Sequence, residues 1–99
     1  MKLLEALREK LLMMRRNQRT VASTAENSRT SFAIMAEVAT DLEMKAKYQV
    51  ALNVIGLISD ECRSIAAKAD EHLRKDEITA DELVDLGNAY SELPPRWRQ

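Results

Sequence analysis

Between Leu4 and Ala46 apolar side chains recur at alternating steps of three and four, the repeat that brings successive positions to one side of an α-helix. The positions are Leu4, Leu7, Leu11, Met14, Gln18, Val21, Ala25, Ser28, Phe32, Met35, Ala39, Leu42 and Ala46. Only Gln18 and Ser28 among them are polar, although the chain as a whole is 45% hydrophobic. Nearly half of the molecule is thereby committed to helix with a face that water disfavours.

A second seam runs through Ala51, Ile55, Ile58, Cys62, Ile65, Ala69 and His72. It is out of phase with the first, which would continue from Ala46 to Gln49 and Asn53. One straight helix cannot hold both stripes on one side, so a reversal or strong bend is expected within Lys45-Ala46-Lys47-Tyr48. Thr40-Asp41-Leu42-Glu43 is a competing break, because Thr40 and Glu43 have capping-box spacing. Length points the same way. An unbroken helix from Thr24 to Lys75 would run roughly 78 Å, more than a small globule covers.

The stretch from Asn17 to Ser31, rich in Asn, Ser, Thr and Arg, is the weakest helical region. Ser23-Thr24-Ala25-Glu26 within it offers a cap for a new helix. The last helix is marked most clearly: Thr79 as N-cap, Glu82 as reciprocal acceptor, Ile78 and Leu83 as hydrophobic staple, and Pro94-Pro95 as the stop. The expectation is an all-α protein, a small antiparallel bundle of three to four helices. Their spans are about 2–20, 24–44, 48–75 and 80–92, in one domain over 1–99 with a tail at 94–99. A chain this short buries only about 60–65% of its unfolded surface, so an oligomer is expected.

Two Gly and two Pro exclude collagen, linker and turn-rich β architectures. One cysteine and one histidine give neither an internal disulfide nor a thiolate–imidazole metal cage, which suits a reducing, cytoplasmic setting. The N-terminal run is interrupted by a charge every two or three residues and reads as an amphipathic helix rather than a secretion signal. The longest uncharged run, Tyr48 to Ser59, falls short of the roughly 20 apolar residues that a bilayer requires. Gly56 within it suggests a close neighbour at its backbone, since a helical glycine costs about 1 kcal/mol relative to alanine.

Charge is unevenly spread. Residues 1–31 hold seven bases and three acids; the remainder holds eight bases and thirteen acids. The two regions suit each other within one bundle or between subunits. Cys62 lies on the apolar seam about 15 Å along the helix from His72, so it lacks a base and reads as a small buried hydrophobe. His72 reads as a partner for a nearby carboxylate or the helix C-terminus. No catalytic constellation, phosphate loop or cofactor motif is read, and no enzyme is expected.

What remains points to a non-enzymatic protein-interaction module: an adaptor, chaperone-like protein or stoichiometric inhibitor of the kind compact bacterial or phage genes encode. Leu4, Leu7, Leu11, Met14 and Val21 are its expected contact stripe, for itself or another protein, and Arg15, Arg16 and Arg19 its basic flank. Trp97, between Arg96 and Arg98 behind the two prolines, is either a tail tucked on the bundle or a docking peptide. The alternative is a binder of nucleic acid or a small phosphorylated ligand through Arg15, Arg16 and Arg19. A pI of about 5.8 and aromatics lying elsewhere in the chain weigh against it.

Overall fold

The computed structural model describes residues 2–98; Gln99, at the end of the expected tail, lies outside them. Among the described residues the chain forms three α-helices, α1 (Glu5–Val38), α2 (Leu42–Lys75) and α3 (Ala80–Glu92), then a 3-10 turn over Pro95–Trp97. The first two have 34 residues each and pack antiparallel as a hairpin about 51 Å long. Short α3 makes far fewer contacts, and the whole measures 56 × 19 × 18 Å.

The expected helices 2–20 and 24–44 are one helix. The polar stretch stays helical because Thr20, Thr24, Thr30 and Ser31 each donate a hydroxyl to the carbonyl four residues back, at 3.0 to 3.5 Å. Ala22 and Ala25 are buried against α2 on the opposite side of the same turns. Glu26 does not cap anything; it reaches across to Arg63 and Ser59 of α2.

The reversal also falls elsewhere than at Lys45–Tyr48, which lies inside α2. The chain turns at Ala39, Thr40 and Asp41, near the competing break, and the cap is Asp41, whose carboxylate accepts from the Glu43 N–H at 2.9 Å. The first seam therefore ends on α1. Its later positions Leu42 and Ala46 follow the turn, and Leu42 is 82% exposed.

The second seam is buried as the periodicity predicts. Cys62, Ile65, Ala69 and His72 are buried and Ala51, Ile55 and Ile58 half-buried. Around them the core collects Leu11, Ile78, Leu86 and Leu93. At the same end Leu3 donates its N–H to the Asp76 carbonyl at 3.2 Å, strapping the chain start onto the α2–α3 turn. Asp76 takes the left-handed conformation there, φ 58°, which a short polar side chain tolerates. α3 starts as predicted: the Thr79 hydroxyl accepts from Glu82 N–H and the Glu82 carboxylate accepts from Thr79 N–H.

Candidate functional site

The hairpin has two unlike sides. One is laced with ion pairs that join α1 to α2. Arg15 Nη1 donates to Asp70 Oδ1 at 2.6 Å, with Arg19 at 3.8 Å from the same oxygen and Arg74 at 3.2 Å from its neighbour. Arg8 pairs with Asp76, and Arg63 lies 3.1 Å from Glu26. The Arg15 hydrogen bond, reinforced by the charges of Arg74, Arg15 and Arg19, holds the Asp70 carboxyl below the ordinary carboxylate range. Arg63 does the same for Glu26, with help from the Ser59 hydroxyl and Arg29. The basic start and acidic finish of the sequence thus meet within one molecule.

The other side carries α3, and α3 is too short for it. Thirteen residues cover about 20 Å of a hairpin about 51 Å long. Where α3 ends, the tail folds back: Trp97 N–H donates to the Pro94 carbonyl at 2.8 Å, and the Tyr90 hydroxyl donates to the Arg98 carbonyl. Gln18, fully buried, donates its amide to the Trp97 carbonyl at 2.9 Å, with Cys62 Sγ 3.9 Å from the same oxygen. Burial, and secondarily Glu61, pushes the Cys62 thiol up and keeps it un-ionised.

Trp97 so placed forms the end wall of a groove of about 690 Å³ between α1 and α2. Val21, Thr24, Ser28 and Phe32 line it from α1 and Ile55 from α2, with Arg16 and Arg96 at the basic end. The Phe32 and Tyr48 rings, 6.1 Å apart, close its far side. Past them a second hollow of about 320 Å³ runs to the hairpin tip between Met35, Val38, Met44 and Asp41. The first hollow begins at Arg96 and Trp97, just past the end of α3.

The expected contact residues are divided by this architecture. Leu11 is 2% exposed inside the core, and Leu7, Met14 and Val21 pack partly buried against it. Leu4, at 77% exposed, remains outside with Leu12 and Met13. The arginines do not act as one cluster: Arg15 and Arg19 face Asp70, whereas Arg16 lies at the groove. Trp97 is tucked onto the bundle and half-buried. His72 is buried with Nδ1 3.8 Å from a Glu82 carboxylate oxygen. Unforeseen in the sequence are Val50, Val54 and Leu57, 48 to 69% exposed along the uncovered half of α2. Their steps of four and three, flanking the second seam, are the signal that would have found them.

No helix among the described residues is long and apolar enough to cross a membrane. Comparison with protein-family models, curated proteins and solved structures finds no significant match to this chain.

Proposed function

We propose that the protein is a non-enzymatic interaction module whose contact surface is the uncovered half of the hairpin, on the side where α3 stops short. The observation that carries this is the line of hollows between Trp97 and the tip, lined by apolar Val21, Phe32 and Ile55 and then by Met35, Val38 and Met44. Apolar side chains along an open groove between two helices suit an amphipathic helix laid into it. Of the stripe and flank first expected, Val21 and Arg16 contribute to this surface. Leu7, Leu11 and Met14 stabilise the hairpin instead, and Arg15 and Arg19 are held by Asp70.

A photo-reactive phenylalanine derivative at position 24 tests the reading in cells expressing the protein. Discrete covalent adducts from position 24, which lines the groove, are expected, and none when the probe stands at Ala67 on the ion-paired side. Adducts from neither position, or equally from both, overturn it.

A further inference from the structure

The groove is polarised along its length. Arg16 and Arg96 lie at the end walled by Trp97, and Asp41 lies at the hairpin tip. A molecule laid into it head to tail, with the same polarity reversed, satisfies both ends. A second copy of the chain offers that arrangement through a twofold axis across the middle of the groove.

The areas agree. Met35, Val38, Val50, Val54 and Leu57 are 45 to 71% exposed. Together they offer roughly 500 Å² of the about 800 Å² that each partner gives to a standard stable interface, and half-buried Phe32, Tyr48 and Ile55 add to it. The lengths agree as well, because the part of one hairpin that α3 leaves uncovered, about 31 Å and close to the distance from Arg16 to the tip, faces an identical length on its partner. Two helices from each copy then enclose what each molecule leaves open, and α3 caps the bundle at either end.

Resting on the reading of this side as a protein-binding surface, we propose that the occupant is a second copy of the chain. The uncovered halves of two hairpins join antiparallel into a four-helix bundle, and Asp41 of each meets Arg16 and Arg96 of the other. Packing of this kind buries the exposed α2 stripe and pairs charges that the isolated molecule leaves at opposite ends of its groove.

Sedimentation velocity on the full chain at micromolar concentration is expected to return twice the 11.3 kDa of one copy. Leu57→Asp and Val54→Asp, both at exposed positions, are expected to give monomers with unchanged helicity by circular dichroism. Asp41→Asn keeps a capping side chain but removes the charge; it should weaken the dimer about tenfold, as should Arg16→Gln, and the double variant should lose no more than either alone. A dimer that survives Leu57→Asp, or additive losses in the double variant, overturns the inference. A monomer at every concentration overturns it too. If position 24 still forms adducts with another protein, that monomer leaves the module reading standing; if it forms none, both fall.

Discussion

Glycine at position 56 shows how a residue can be conspicuous in sequence without a tight neighbour in space. A Cβ built there meets only the Arg29 guanidinium carbon at 3.8 Å, ordinary contact distance, and Gly87 has nothing within 4 Å. Neither backbone needs a positive φ. Gly56→Ala and Gly87→Ala should therefore each raise stability by about 0.5–1 kcal/mol through the unfolded chain's lost freedom, read as a higher urea midpoint at unchanged slope. Gln18 is the converse case. Its place on the first seam was legible, but a polar residue there looks like an interruption until its amide is seen holding the Trp97 carbonyl across 79 residues. Nothing local in the sequence joins those two positions. Cys62 and His72, by contrast, sit where their seam places them, because burial along one helix follows from periodicity alone.

Helix ends separate into those written locally and those set by packing. α3 begins where its capping box says it does, and Thr79→Ala should cost about 1 kcal/mol, checked by denaturant titration. The end of α1 carries no such mark. Its polar middle resembles a linker by composition, yet threonine and serine hydroxyls bond back to the preceding turn and Ala22 and Ala25 bury against α2. The ion pairs joining α1 to α2 have a pH signature. Asp70 and Glu26 are held below their ordinary values in the folded state, so the unfolded chain takes up protons first as pH falls. Their stabilisation is complete above the ordinary carboxylate range and lost on descending through it. The melting temperature should stay level from pH 7 to about 5 and drop below about pH 4. Asp70→Asn should lower it at neutral pH and blunt the acid drop, in scanning calorimetry at low salt.

At the scale of the molecule, burial is concentrated at one end. Leu11, Cys62, Ile65, Ile78 and Leu86 pack around α3, whereas the tip half has two helices and buries only small side chains from α1, Ala22, Ala25 and Ala36. In the monomeric Leu57→Asp protein, hydrogen exchange is expected to be faster for amides of residues 28–54 than for residues 59–73, since fewer buried contacts resist opening there. Equal protection would mean that the groove is internally satisfied. The helical class, the second seam and the start of α3 were settled by the order of residues, because apolar spacing and capping act over three or four positions. The single long α1, the turn at 39–41, the dispersal of Arg15, Arg16 and Arg19 and the open groove were decided by tertiary contact. Each depends on which side of α1 meets α2 and how far α3 reaches, and those contacts join residues distant in the chain.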